Sequence, residues 1–458
     1  MTSNGSGGSG GSGGSDGSED TGNGGSDRRA RITAVDAWEV LDSRGHPTVR
    51  VAVETDGARG VFTVPAGAST GLHEAVERRD RDDRYGGRGV RGTVADVCEE
   101  LAPVVTDRDA TDQAAIDRAL VECDGTDDLS RLGANAVLGV SGAVVHAAAA
   151  ALDDPLHVHL ASLADRATDA TGCLPMPTVN VLSGGLHARG GIEVQDFLVV
   201  PIGAASYPEA LHACWQVRAA VRERIVADGN RPLVADEGGF APPLRTIDAA
   251  FSLLASATRD AGFEVGADIG FAVDVAATHF HDRDTGEYVL DSLDRSLDRE
   301  GMIDLVVGWA REHPLVSIED PLAEDDWRGW ERLAEALPPE TLLLGDDLIA
   351  TNPDRLDRAI ETGGASAVLV KPNQAGTITR TIEVLDTAQA ADLATVVSAR
   401  SGETADTTIA DLAVGCGGDF IKIGSLARSE RLAKYNRLTE IDRESPSLEF
   451  VGPLGGGI

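Results

Sequence analysis

Beyond residue 270, apolar runs of two to four residues end in polar groups at regular intervals. Phe271-Ala272-Val273 leads to Asp274, Val316-Ser317-Ile318 to Glu319, and Leu342-Leu343-Leu344-Gly345 to Asp346. Ala367-Val368-Leu369-Val370 leads to Lys371, Thr395-Val396-Val397 to Ser398, and Phe420-Ile421 to Lys422. The gaps between these polar groups are 45, 27, 25, 27 and 24 residues. A strand, a loop and a returning helix take about 25 residues, so the last five runs predict consecutive βα units. Trp327 to Leu337 and Pro353 to Thr362 are predicted as return helices. At least six parallel strands, with functional groups at their C-terminal ends, predict a (β/α)8-type barrel over residues 166–445. An open doubly wound sheet is the competing layout, but no G-x-G-x-x-G motif follows a first strand.

The first half has another rhythm. Thr48 to Glu54 alternates apolar and polar residues, which predicts a strand in a sheet with one wet face. Asp42-Ser43-Arg44-Gly45 forms the turn before it. Gly60 to Val64 is a further strand, ending in the small-residue loop Pro65 to Gly71. Helices are predicted near Thr93 to Leu101, Asp112 to Glu122 and Ala134 to Ala151. Strands followed by helices make an α+β domain over residues 29–165. His146 lies in an Ala/Val helix and is assigned to the core. Trp309, Trp327 and Trp330 are assigned to packing against the barrel. Residues 1–28 are almost all Gly, Ser, Asn and Asp, a solvated tail without the apolar stretch of a signal peptide. Residues 446–458 read as a second tail.

Charge narrows the function. There are 75 acidic residues against 40 basic ones, for a net charge of −35. Such a surface repels nucleic acid and anionic membranes, which argues against both as partners. No run approaches the roughly 20 apolar residues that span a bilayer. Five scattered cysteines without a C-x-x-C pair suit a reducing, cytoplasmic setting.

The cations are almost all arginine: three lysines, Lys371, Lys422 and Lys434, stand against 37 arginines. Arginine stays charged near neutral pH, whereas a lysine's pKa falls when it is buried or placed near another cation. Lys371 and Lys422 close apolar runs and are therefore candidates for chemistry. Lys434 is assigned a local salt bridge. Asp274, Glu319 and Asp346 end neighbouring strands, and three carboxylates facing one mouth repel unless a cation lies between them. Oxygen-only ligation points to Mg²⁺ or Mn²⁺. A metal beside a strand-end lysine suits proton abstraction next to a carboxylate. Glu237, in Asp236-Glu237-Gly238-Gly239, is the candidate second acid.

These residues resemble the enolase (phosphopyruvate hydratase) family over roughly residues 30 to 445. The resemblance rests on Leu41-Asp42-Ser43-Arg44-Gly45, Gly67-Ala68-Ser69-Thr70-Gly71, Leu132-Gly133-Ala134-Asn135-Ala136 and Asp236-Glu237-Gly238-Gly239. It continues in Ser317-Ile318-Glu319-Asp320, Gly345-Asp346-Asp347-Leu348, Arg400-Ser401-Gly402-Glu403-Thr404 and Ala427-Arg428-Ser429-Glu430-Arg431. It implies an N-terminal capping domain, a homodimer or higher homo-oligomer, two Mg²⁺ per active site, and reversible dehydration of 2-phosphoglycerate to phosphoenolpyruvate. By the same resemblance Asp274, Glu319 and Asp346 hold one Mg²⁺, and Ser69 helps close over the second. Lys371 takes the C2 proton and Glu237 protonates the departing hydroxyl. Lys422 pairs with the substrate carboxylate, Arg400 and Ser401 hold the phosphate, and His187 and Gln195 line the pocket.

Four positions depart from the family pattern. Ala399 replaces a pocket His, Asp196 a Glu, Ser183 an Asn and His279 a common Glu. Two alternatives stay open here: an acid-sugar dehydratase of the same superfamily, which the Arg400-Ser401 phosphate grip argues against, and a catalytically weak paralogue with a binding role. The charge also predicts a halophilic protein, because salt screens repulsion among the acids. The melting temperature should rise as KCl goes from dilute to molar; a protein most stable in dilute buffer would overturn this reading.

Overall fold

The computed structural model describes residues 30–67, 71–166, 172–188 and 191–451. The segment expected as an N-terminal tail, residues 1–28, lies outside them.

Strands Ile32–Leu41, Pro47–Thr55 and Arg59–Thr63 form an antiparallel sheet in chain order. The turn between the first two is set by Asp42, whose Oδ1 accepts the N–H groups of Arg44 (2.9 Å) and His46 (2.8 Å). Val49, Val51 and Val53 are fully buried, and Arg50 and Glu54 are exposed, as the alternation predicts. The wet face is nevertheless smaller than expected, since Thr48 and Ala52 are buried too. The Thr48 hydroxyl is satisfied there by donating to the Val64 carbonyl at 2.6 Å.

The helix Ala134–Leu152 packs on this sheet. At 19 residues it is long and apolar enough to cross a membrane, which corrects the expectation that no run approaches that length. Most of it is buried inside the protein. A helix enclosed on nearly every side has no polar face and so shares the composition of a span. The helix expected near Thr93 to Leu101 is present and runs from Arg91 to Val105, passing through one wider turn at Val97–Leu101 with helical backbone at both junctions. Pro103, near its end, has no N–H to give the ladder.

Eight strands close a barrel: Met176–Ser183, Asp196–Val200, Gly270–Asp274, Leu315–Glu319, Leu342–Gly345, Ala367–Val370, Ala394–Ser398 and Phe420–Gly424. Six contain the runs read from the sequence. The second strand is antiparallel to both neighbours, and all other pairs are parallel. Return helices such as Arg299–Glu312, Trp327–Ala336, Pro353–Thr362 and Ile378–Ala390 begin at Asp298, Asp326, Asn352 and Thr377. Each of these side chains accepts a backbone N–H from the first turn, which fixes where the helix starts. Trp309, Trp327 and Trp330 are buried, as assigned.

Strand alternation aims the functional groups. Ala272, Leu342, Leu344, Ala367, Leu369, Val396 and Phe420 fill the barrel interior, whereas Val273, Leu343, Val368, Val370, Val397 and Ile421 face the helices. With a side-chain period of two, Asp274, Asp346, Lys371, Ser398 and Lys422 continue the inward rows just above that apolar plug. Lys422 is the third residue of its strand, which continues to Gly424.

Backbone pairing ties down the C-terminal end and the domain junction. Glu449–Phe450, in the segment expected as a C-terminal tail, pairs in parallel with Cys173–Leu174. The N-terminal domain meets the barrel through paired backbone bonds between Ala66 and Gly402 (2.8 and 2.9 Å). A Cβ at Gly402 would lie 2.4 Å from both Arg44 and Asp42 side-chain atoms, so that junction requires glycine.

Sheet and helix touch most closely at Gly60, where a Cβ would lie 2.1 Å from the Ala143 carbonyl oxygen and 2.2 Å from the Ala147 nitrogen. Gly60→Ala should therefore destabilise the protein by about 2–3 kcal/mol, because backbone cannot rotate away as a side chain does. Urea unfolding measures this; a loss below about 0.5 kcal/mol, the scale of an ordinary surface change, would contradict the close packing.

Candidate active site

The strand ends open into a cavity of about 40 Å³ lined by His187, Gln195, Glu237, Asp274, Asp346, Lys371, Arg400, Ser401 and Lys422. Thus all but two of the residues singled out from the sequence line one wall or another of a single chamber. Glu319 lies in the barrel interior against Lys422, and Ser69 falls outside the described residues. Gln195 and Asp196 reach the mouth from the start of a strand because the second strand runs opposite to its neighbours. Its residue Asp196 lies level with Asp274 on one side and Ser183 on the other.

Buried charge organises the floor. Lys422 Nζ donates to Asp274 Oδ2 at 2.9 Å and to both Glu319 oxygens at 2.7 and 2.6 Å. Lys371 Nζ donates to Asp346 Oδ2. Burial alone lowers the pKa of each lysine, but the facing carboxylates outweigh it and hold both ammoniums charged. Burial and the neighbouring Asp274 push Glu319 well above the usual carboxylate range. Asp274 and Asp346 are held below that range, since their lysines overcome the burial. Arg400 and Lys422 work against the proton on Lys371.

The donor set fits a hard divalent cation. Asp274, Glu319 and Asp346 offer only oxygens, are each less than a tenth exposed, and already attract cationic lysines. Gln195 donates to Asp274 at 3.2 Å, while its buried Oε1 has no hydrogen-bond partner, leaving an acceptor free in the wall. The lysines draw the three acids towards themselves. Ligand atoms within 4.8 Å of one another occur instead in Asp320–Asp346–Asp347 and in His187–Asp196–Glu237.

Several structural partners were not legible beforehand. Asp320, at φ 43°, accepts the N–H groups of Asp346 (3.1 Å) and Asp347 (2.8 Å) and so fixes the turn that presents Asp346. Burial and the adjacent Asp346 push Asp347 up to about 8. Glu74 grips Arg400 Nη1 at 2.8 Å and accepts the Gly71 N–H at 2.9 Å. Arg431 is fully buried and donates to the carbonyls of Arg400 (2.6 Å), Ser401 (2.7 Å) and Ile423 (2.9 Å). Lys434 forms a salt bridge, but not the local one assigned to it: its partner is Glu403, at 2.8 Å, in the loop that carries Arg400. His146 is only partly buried and pairs with Thr408 at 2.7 Å. Asp320 and Arg431 fall within conspicuous sequence blocks, but nothing in those blocks distinguishes a scaffold residue from a reacting one.

On the opposite wall two of the unusual residues meet. Ser183 Oγ donates to Asp196 Oδ1 at 2.8 Å, Asn180 donates to the same oxygen at 2.5 Å, and His187 Nδ1 lies 3.0 Å from Oδ2. The shorter acid is thus fully satisfied and still orients His187. Glu237 stays below the ordinary carboxylate range: burial favours its proton, but Arg431, His187 and Lys422 outweigh it.

Burial disfavours a charge on His187, yet Asp196 overcomes it and holds the imidazole at about 9. The folded protein therefore binds this proton more tightly than the unfolded chain, whose histidine titrates near 6.5. Stability from the pair is complete below about pH 6.5 and is lost as pH rises through about 9. In metal-free buffer, urea unfolding at pH 6.5 and 9.5 should show a smaller loss for His187→Gln than for wild type. Equal losses would remove the pair as the cause.

Comparison with known proteins agrees with this geometry. The family model for the enolase N-terminal domain matches residues 32–160, and that for the enolase C-terminal TIM barrel domain matches residues 171–450. An enolase of Acidothermus cellulolyticus is 47% identical over 416 residues, covering 91% of this chain and 95% of that protein. Both halves of the chain and nearly its whole length are accounted for, and the chain belongs to the enolase family.

Proposed function

We propose that the reaction of this family member, reversible dehydration of 2-phosphoglycerate to phosphoenolpyruvate, is divided among the cavity residues as follows. Asp274, Glu319 and Asp346 hold one Mg²⁺, and Ser69 contributes to a second. When bound, the metal stabilises negative charge developing on the substrate carboxylate. Arg400 and Ser401 hold the phosphate, which the guanidinium fork suits by offering paired donors. Lys422 leaves its carboxylates to pair with the substrate carboxylate. Lys371 abstracts the C2 proton: once Asp346 is engaged elsewhere, Arg400 and Lys422 remain to lower its pKa. Glu237 delivers a proton to the departing C3 hydroxyl, its own proton affinity rising as an anionic substrate takes up the field of Lys422 and His187. His187 and Gln195 orient the substrate from the far wall.

The observation carrying this assignment is that two of the chain's three lysines end on the three strand-end carboxylates beside Arg400. The contact between Ser183 and Asp196 weakens the reading as an impaired paralogue, because these departures support each other. We also infer a homodimer or higher homo-oligomer, from the family resemblance, and a cytoplasmic location, supported by five free cysteines.

Formation of phosphoenolpyruvate, followed by its ultraviolet absorbance with Mg²⁺ present, tests the division of labour. Lys371→Arg keeps the charge but cannot accept a proton near neutral pH, so kcat should fall about 10²–10⁴-fold with little change in KM. A near-normal kcat would remove Lys371 from the role of base.

A further inference from the structure

We propose that His279 is a substrate-contacting residue of this site, supplying from the loop after the third strand a hydrogen bond that Ala399 cannot make from the end of the seventh. The inference rests on the phosphoglycerate reading above and names one more group that meets the ligand.

His279 and Ala399 line the same cavity, together with Lys371, Lys422, Arg400 and Glu237. The chain reaches His279 through a sharp turn, with Ala276 in the left-handed region at φ 48°. This turn is held at several points. Val275 N–H donates to the Glu319 carbonyl at 2.9 Å and Ala277 N–H to the Asp320 carbonyl at 3.0 Å. The Thr278 hydroxyl accepts the Glu324 N–H at 3.0 Å. Phe280 packs edge-on against Tyr288, with ring centroids 6.2 Å apart. These bonds hold the backbone on either side of His279, whose side chain is exposed at the cavity rim. A braced turn holds an accessible imidazole in place at a cavity rim, where a ligand can meet it.

The charge balance favours an imidazole at this position. Glu74, Glu237, Asp274, Asp320, Asp346 and Asp347 already wall the cavity. An imidazole offers an N–H donor there without adding another negative charge. Across the mouth, Ala399 has only a methyl group, and its backbone N–H is committed to the Lys422 carbonyl at 2.8 Å.

The test combines turnover of 2-phosphoglycerate with calorimetric binding of phosphoenolpyruvate, both with Mg²⁺, in wild type and in His279→Ala, His279→Gln, Ala399→His and His279→Ala/Ala399→His. His279→Ala should lower kcat/KM at least tenfold and weaken phosphoenolpyruvate binding, without a shift in melting temperature. His279→Gln, which keeps an N–H donor, should recover part of the loss. Ala399→His should restore most of it in the double variant and change the wild type less than twofold. Values for His279→Ala within twofold of wild type would overturn the proposal, as would an equal gain from Ala399→His in both backgrounds. If wild type binds phosphoenolpyruvate but does not form it, and His279→Ala weakens that binding, this inference stands and the catalytic reading falls. A wild type that neither binds nor turns over overturns both.

Discussion

Three carboxylates cannot share the buried mouth of a barrel unless positive charge lies between them. Asp274, Glu319 and Asp346 are each less than a tenth exposed, and the cost of leaving such groups unpaired is several kcal/mol per ion. Lys422 answers two of them and Lys371 the third. The rest of the site follows from this balance. The lysines are held as ammoniums by the acids; burial and the neighbouring Asp274 raise the proton affinity of Glu319, whereas the lysines overcome burial at Asp274 and Asp346. In the proposed division of labour, a cation and an anionic substrate would change partners within this set rather than add uncompensated charge. Such a site is preorganised for exchange: each bond that ligands break is replaced by one of the same kind.

The scaffold supporting this balance comes from outside the barrel strands. Arg431, in the helix Ser429–Glu444, fixes the carbonyls of Arg400 and Ser401, and Lys434 one turn on bonds Glu403 and the Thr404 carbonyl. The loop that presents Arg400 is therefore clamped from behind by two buried cations. From the front it meets the N-terminal domain, through Arg44, which bonds Ser401 at 3.4 Å and the carbonyls of Ala66 and Gly67 at 2.9 and 3.1 Å. Glu74 completes the arrangement by holding Arg400 and the backbone at Gly71 together. The N-terminal domain thus contributes to the placement of Arg400 and Ser401.

What the sequence made legible was governed by period and scarcity. Short apolar runs with a polar end, repeated about every 25 residues, revealed six of the eight barrel strands, because parallel strands buried on both faces carry almost nothing else. The two missed strands lack that signature. Met176–Ser183 is preceded and interrupted by prolines, and Asp196–Val200 begins with its functional residue because it runs the other way. Scarcity of lysine picked out Lys371 and Lys422. Glu74 and Arg431 were not legible as partners of the site: arginine and glutamate are common throughout this acidic chain, and only folding brings Glu74 to Arg400 across 326 positions. The helix Ala134–Leu152 shows the opposite failure, in which a membrane-like composition arises from complete burial on a sheet.

The departures from the family pattern gain meaning only when their positions in space are known. Read along the chain, Ser183 and Asp196 are two separate losses of a methylene or an amide. In the fold they are joined by a 2.8 Å hydrogen bond, with Asn180 filling the remaining acceptor site and His187 still seated on the other oxygen. A shortened acid beside an unchanged partner would leave a buried polar group unsatisfied, at a cost of about 1–3 kcal/mol. A shortened acid beside a hydroxyl that reaches it does not. Selection acting on stability alone could therefore keep the pair, but the pair also keeps His187 charged and directed into the cavity where Glu237 lies. Ser183 and Asn180 on one oxygen of Asp196 and His187 on the other make these positions a single unit, so the two departures act together to fix the direction of one imidazole beside Glu237.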